Sequence, residues 1–288
     1  MICELDTEEV AVSLACEVLE VSRSGYYDWI DRPISNRDKE NQELVGRIRS
    51  IHNESNGTYG SPRITAELRS EGKMVSENRV ARLMKKEGIA SDAIKKFKIQ
   101  TTDSNHDLPI AERLFETESA DCIMAPNQVW AGDITYIATE EGWLFLAVFL
   151  DIFTRKIVGF SCADNMKTEL ILNALQMALD QKNTDCENLI AHSDQGSQYA
   201  SDDYTKKLKL AGVIASMSRK GNCYDNAHVE SFFHSLKVEL VYRKTFKTRE
   251  EAKQAIFRWI ETWYNKKRRQ SGIDYLSPQE AEDLALAS

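Results

Sequence analysis

The chain has 288 residues, 42% hydrophobic and 28% charged, which is ordinary for a globular protein and gives room for one large or two to three small domains. Its longest apolar run, Trp143 to Leu150, is too short to span a membrane, and the start Met1-Ile2-Cys3-Glu4-Leu5-Asp6 is acidic where an export signal is positive, so a cytoplasmic location is expected. Six cysteines without a C-x-x-C pair argue against a zinc site or disulfide framework, and a net charge of −8 counts mildly against nucleic acid. The distribution of charge matters more than its total. Residues 1–50 carry 6 basic and 11 acidic side chains (−5), 51–100 carry 10 and 6 (+4), 101–200 carry 5 and 16 (−11), and 201–288 carry 16 and 12 (+4). Two basic stretches are thus available for phosphate contacts.

In chain order, residues 1–50 read as short helices, with Val10, Leu14, Val18 and Leu19 at helical spacing, and a longer one over 36–51 with Leu44, Ile48 and Ile51 inward. Residues 51–90 form the next unit. Ser61-Pro62 reads as an N-cap and first-turn proline, Ile64 and Leu68 as the apolar face, and Gly72 as the stop; Ser76 then caps a second helix with Val80, Leu83 and Met84 inward. Two short helices joined at a glycine match a helix-turn-helix. Arg79, Arg82, Lys85 and Lys86 on the second helix stand where a recognition helix meets a DNA groove, or else form a solvated basic face. Residues 91–125 read as a linker with one short helix near Ile110 to Phe115.

From residue 126 the period changes to two. Strands are predicted over 129–137, 143–150 and 157–162, a helix over 167–182, a strand over 189–192, a helix over 202–210, a strand over 213–217 and a long helix over 226–242. The order βββαβαβα defines an α/β domain of ribonuclease-H-like type. Helices close the chain, with capping boxes at Thr248-Arg249-Glu250-Glu251 and Ser277-Pro278-Gln279-Glu280.

Three carboxylates stand out by context. Asp133 shares a strand face with Val129, Ala131 and Ile137, where a charge needs a partner or a metal; a buried Asp bonded to a loop is the plain alternative. Asp194 follows the run Leu189-Ile190-Ala191, at the carboxyl end of a strand where open α/β sheets place ligands, and also suits a simple turn before Gln195-Gly196. Glu230 lies on the long helix with His234 and Lys237 at i, i+4 and i+7, a spacing that also fits a solvated face. Asp151 is a rival ligand that serves equally as cap of the Thr154-Arg155 turn. Asp133, Asp194 and Glu230 together suit two hard divalent cations for phosphodiester chemistry, with Lys237 beside them.

The blocks Trp130–Ile137, His192–Tyr199, Ser216–Ala227 and Glu230–Leu240 resemble DDE transposases of bacterial insertion sequences. More narrowly they resemble the second-reading-frame (OrfB) product of the IS-three family, relatives of retroviral integrases. Ser22–Tyr27, Tyr59–Ile64 and Tyr264-Asn265 extend the likeness over nearly the whole chain; Gln270 departs from it, standing where that family usually has His. The resemblance implies an integrase-like catalytic core over 126–288 and a site in which Asp133, Asp194 and Glu230 bind two Mg²⁺ or Mn²⁺ ions. It implies cleavage and joining of double-stranded element ends and target DNA, with phosphate contacts from Arg219, Lys220 and Asn222. A homo-oligomer and an upstream-frame (OrfA) partner are further implications. A nuclease that only hydrolyses, or an inactive DNA-binding regulator, are the alternatives.

Overall fold

The computed structural model describes residues 12–92, 109–114, 123–181, 188–218 and 227–287. The amino-terminal part is helical: α1 (Val12–Val18), α2 (Arg23–Ile30), α3 (Asn36–Glu54), α4 (Ser61–Ser70) and α5 (Glu77–Lys86). Ser22, Ser35 and Ser76 each cap the helix that follows, accepting a backbone N–H from its first turn. The expected cap at Ser61 does not form. Gly60 takes the cap position in extended backbone, so Ser61 begins the helix, its carbonyl accepts the Thr65 hydroxyl, and Pro62 still lies in the first turn where its missing N–H is harmless. Helix α3 shares one core with α4 and α5, built on Leu44, Ile48 and Ile51 against Tyr59, Ile64 and Leu68. Gly72, at φ +80°, makes the turn between α4 and α5.

The expected helix over residues 110–115 is absent from its described part: 109–114 run without regular structure. The Leu114 N–H donates to Ser216 Oγ at 2.9 Å, and Ala111 packs on the core, so tertiary contacts take what a helical turn would need.

From residue 123 onward the predicted order appears element by element. Strands β1 (Val129–Thr139), β2 (Gly142–Asp151) and β3 (Ile157–Ala163) form the antiparallel meander; α6 (Thr168–Asp180), β4 (Ile190–Ser193), α7 (Asp202–Leu210), β5 (Ile214–Met217) and α8 (Ala227–Glu239) follow. The sheet order is β3-β2-β1-β4-β5, with β4 parallel to both β1 and β5. Period-two alternation gives the sheet two apolar faces. Val129, Ala131 and Leu146 pack with Val229, Phe232 and Leu236 of α8, whereas Trp130, Phe149 and Val158 pack with Ile171 and Ala174 of α6 and Tyr204 of α7. The result is a three-layer α/β/α sandwich. Gly159 sets how close α6 lies on β3, because a Cβ there would collide with the Ala174 carbonyl.

Helix α8 ends earlier than the sequence predicts. Leu240 leaves helical backbone at φ −126°, a single 3₁₀ turn takes Val241–Arg243, and the Arg243 guanidinium donates to the Val238 carbonyl at 3.0 Å. Helix α9 (Arg249–Arg258) widens into a π turn over Trp259–Tyr264, and α10 (Pro278–Leu286) closes the chain. Ser277 and Glu280 complete their capping box. Thr248 completes only half of one, since Glu251 reaches back to the Lys247 N–H instead.

The carboxyl-terminal segment ties the parts together. Asn265 pairs with both the N–H and the carbonyl of Ile157, each at 3.0 Å, as a neighbouring strand would. The Arg269 backbone N–H donates to the Tyr59 hydroxyl at 2.8 Å, and its guanidinium forms an ion pair with Glu67 of α4 at 2.6 Å. Among the described residues no helix is long and apolar enough to cross a membrane.

Candidate active site

The parallel ladder of β1 and β4 ends at Gly132 opposite Ser193. One residue further along each strand come Asp133 and Asp194, so the two carboxylates occupy adjacent places at the end of the ladder. Gly132 lets Phe149 and Tyr199 pack directly on the strand beside Asp133: a Cβ there would stand 2.8 Å from Phe149 Cε1 and 3.3 Å from Tyr199 Cε1. Asp133 Oδ1 accepts the Ile134 N–H at 2.7 Å, and Asp194 Oδ1 accepts the Gly196 N–H at 3.0 Å, fixing both side chains on their own backbone. Glu230 sits in the first turn of α8, exposed, with Lys237 half-buried two turns later.

Electrostatics show which of these groups feel each other. Burial raises the Asp133 carboxyl well above the ordinary range, and the charges of Asp194 and then Glu230 push it further; the Ile134 N–H and the Lys237 ammonium oppose them. Lys237 is itself drawn down by burial and held up by Asp133. Its ammonium lies 5.1 Å from the centre of the Tyr136 ring, which holds it on this side of the helix. Asp133, Asp194, Glu230 and Lys237 therefore share one field. Even so, no set of three His, Cys, Asp or Glu side chains among the described residues is gathered as a finished metal cage. The adjacent pair is Asp133 and Asp194, and Glu230 stands farther out on the helix.

Asp151, the rival, is committed elsewhere. Its oxygens accept the Asn127 N–H at 3.0 Å, the Thr154 N–H at 3.0 Å and the Thr154 hydroxyl at 2.6 Å, the turn-capping role. On α5, Arg82, Lys85 and Lys86 are exposed, but the Arg79 guanidinium turns inward to Asn41 Oδ1 at 2.8 Å and Glu40 at 3.2 Å on α3. Arg219, Lys220 and Asn222 lie outside the described residues.

Tyr199 is a participant that the sequence reading passed over. Its hydroxyl is buried without a hydrogen-bond partner among the described residues, and burial, then Asp133 and Asp194, raises its pKa well above the usual value. Its one sequence signal is its place five residues after Asp194, at the end of the His192–Tyr199 block.

A carboxylate pair at the end of parallel β1 and β4, with an acid on α8 in the same field, on an α/β/α sandwich, is the arrangement expected of an integrase-type core. The family profile described as Integrase core domain matches residues 124–223 and, in a second form, 230–286; an HTH-like domain profile matches 39–97. Among curated proteins, the transposase InsF of insertion sequence IS3A from Escherichia coli K12 is 42% identical over 281 residues, covering 97% of this chain and 96% of its own. An insertion element IS600 31 kDa protein from Shigella sonnei is 43% identical over 263 residues, covering 91% and 95%. The chain belongs to the transposases of IS3-family insertion sequences. Solved structures with a similar course include the simian T-cell lymphotropic virus intasome in complex with the PP2A regulatory subunit B56 gamma, with TM-score 0.47 and 13% identity, covering 82% of this chain and 74% of that one. Another is the HTLV-2 integrase catalytic core domain in complex with magnesium, with TM-score 0.42 and 15% identity, covering 55% and 98%.

Proposed function

We propose that this transposase cleaves insertion-sequence ends and joins them to target DNA, at a metal-dependent site formed by Asp133, Asp194 and Glu230. The observation that carries the reading is the forced proximity of Asp133 and Asp194, with Glu230 adding to the same negative field. Their donors are hard carboxylate oxygens brought together at one end of the sheet, a set that suits Mg²⁺ or Mn²⁺, two per site. When bound, such cations supply activation of water or a DNA 3′-hydroxyl and neutralisation of the leaving oxygen.

The chain's own residues do the rest. Asp133 and Asp194 orient through their backbone bonds, so little freedom is lost on ligation. Lys237, short of full solvation and close to Asp133, offsets part of the field and donates to a non-bridging phosphate oxygen. Exposed Arg82, Lys85 and Lys86 hold duplex phosphates, and Arg79 braces their helix on α3. The 219–222 loop supplies Arg219, Lys220 and Asn222 to DNA beside the site. Because two element ends must be held at once, the working form is a homo-oligomer.

The test is incubation of labelled terminal-repeat duplexes with the protein and Mg²⁺. Joined products that vanish in Asp133→Asn are expected. Hydrolysed ends without any joined product would make the protein a nuclease and refute the transfer reading.

A further inference from the structure

Behind α8, away from Glu230, lies a cavity of about 280 Å³. The helix separates the two places: Glu230, His234 and Lys237 recur at i, i+4 and i+7, whereas the cavity-lining His228, Ser231 and Ser235 recur at i, i+3 and i+7 on another face. Four stretches of chain meet there. Helix α4 brings Arg63, the β2–β3 turn brings Arg155, and the carboxyl-terminal segment brings Arg268 and Gln270.

The wall is rich in donors with nothing to receive them. Arg155 Nη1 and Gln270 Nε2, both donors, and His228 Nε2, a donor or an acceptor according to its tautomer, are buried without a hydrogen-bond partner among the described residues. Native interiors leave only a few such groups unmatched in a hundred residues, so three on one wall are a concentration that asks for a ligand. Charge tells the same story. Of the three guanidiniums only Arg268 meets a carboxylate among the described residues, Glu239 at 2.7 Å. Arg63 lies 5.6 Å from the centre of the Tyr59 ring, and its charged form is disfavoured by burial and then by Arg268. Asp151, which also lies in the field of Arg155, has its oxygens taken by Asn127 and Thr154. Arg155 itself holds left-handed backbone at φ +64° in the β2–β3 turn, a conformation arginine rarely adopts.

We propose that this cavity is a phosphate-binding pocket, and that in the working protein the phosphate belongs to the backbone of bound duplex DNA. Guanidinium forks and ring or amide N–H groups converging on one space match a tetrahedral oxyanion. Since a water takes about 30 Å³ of liquid, the volume admits a phosphate with several waters. Arg63 comes from the helix-turn-helix unit and Arg155 from the catalytic sheet, so one phosphate would fasten the two together. Only the choice of DNA over free phosphate rests on the proposed function.

Inorganic phosphate titrated against chloride at constant ionic strength, without divalent metal, is the direct probe, read as melting temperature. Wild type should gain several degrees, and Arg155→Gln and Gln270→Leu should lose most of the gain. Ser271→Asp, which places a tethered carboxylate at the pocket, should melt higher than wild type in phosphate-free buffer and no longer respond to phosphate; a misfolded variant would melt lower. For DNA, the slope of log affinity against log salt should shrink by about 0.9 in Arg155→Gln, the loss of one phosphate contact. An unchanged slope with a lost phosphate response would overturn the DNA assignment and make free phosphate the ligand. An equal phosphate response in wild type and all three variants would overturn the pocket. Joining activity reports on the acidic site separately: it would survive failure of the pocket, and the phosphate response would survive Asp133→Asn.

Discussion

Replacing Asp133 by Asn isolates the electrostatic character of the site from its chemistry. The carboxyl is raised by burial and by Asp194 and Glu230, so without metal the folded wild type keeps this proton at pH values where the unfolded chain, with an ordinary Asp near 3.9, has lost it. Folded stability therefore falls as pH climbs from about 4, by up to about 1.4 kcal/mol per pH unit, and levels off once the folded carboxyl ionises. Asn carries no proton to lose, so the variant should be the more stable protein at neutral pH, and its advantage should grow with pH across that window. Divalent metal reverses the order. At a hundred times its Kd, Mg²⁺ adds about 2.7 kcal/mol to wild type, roughly 5–11 °C by the sensitivity of chains slightly shorter than this one. The variant should show little of that gain. Thermal unfolding from pH 4 to 9, with EDTA and with Mg²⁺, measures both effects. A variant that melts below wild type in EDTA at pH 8, or that gains as much from Mg²⁺ as wild type, would show that Asp133 is a structural core residue and not part of a metal site.

Further outcomes follow from the neighbours of that pair. Lys237→Gln removes a charge that favours ionised Asp133, so the acidic limb of the joining activity should move to higher pH, which a pH–rate profile detects. Gly132→Ala would put a Cβ 2.8 Å from the Phe149 ring and should destabilise the fold by about 1–3 kcal/mol in urea unfolding, with reduced joining because β1 shifts beside Tyr199. On α5, Arg82→Ala should reduce the salt slope of DNA binding by about 0.9 with stability unchanged. Arg79→Ala should do the reverse, losing about 1–2 kcal/mol of stability as its bonds to Asn41 go, with the slope unchanged.

The difference between Arg79 and Arg82 marks where sequence reading stops. Helix α5 was legible because Val80, Leu83 and Met84 recur at helical spacing after a serine cap, information contained within ten residues. The partner of Arg79 lies 38 residues away, and no local pattern encodes it. The same division runs through the catalytic layer. Strand β1 announced itself by alternation, and Asp133 by being a charge on an apolar face. Asp194 and Asp133 could be placed side by side because strand order limits which ends can meet. Tyr199 gave no such sign, since a buried tyrosine with an orphaned hydroxyl looks in sequence like any core aromatic. Small boundary shifts, such as the cap moving from Ser61 to Gly60, arise because one extended residue can take a role that propensity assigns to its neighbour.

Helix α8 links these layers. Its apolar stripe, Val229, Phe232 and Leu236, is buried in the sheet's core and fixes the helix rotation. With that stripe anchored, Glu230 and Lys237 must face the acids of β1 and β4, while His228 and Ser235 must face the arginine-lined cavity. The buried pair of Glu239 with Arg268 clamps the far end of the helix to the carboxyl-terminal segment, and Arg269 one residue on grips α4. The helix-turn-helix unit is thus joined through two consecutive arginines to the helix that carries Glu230.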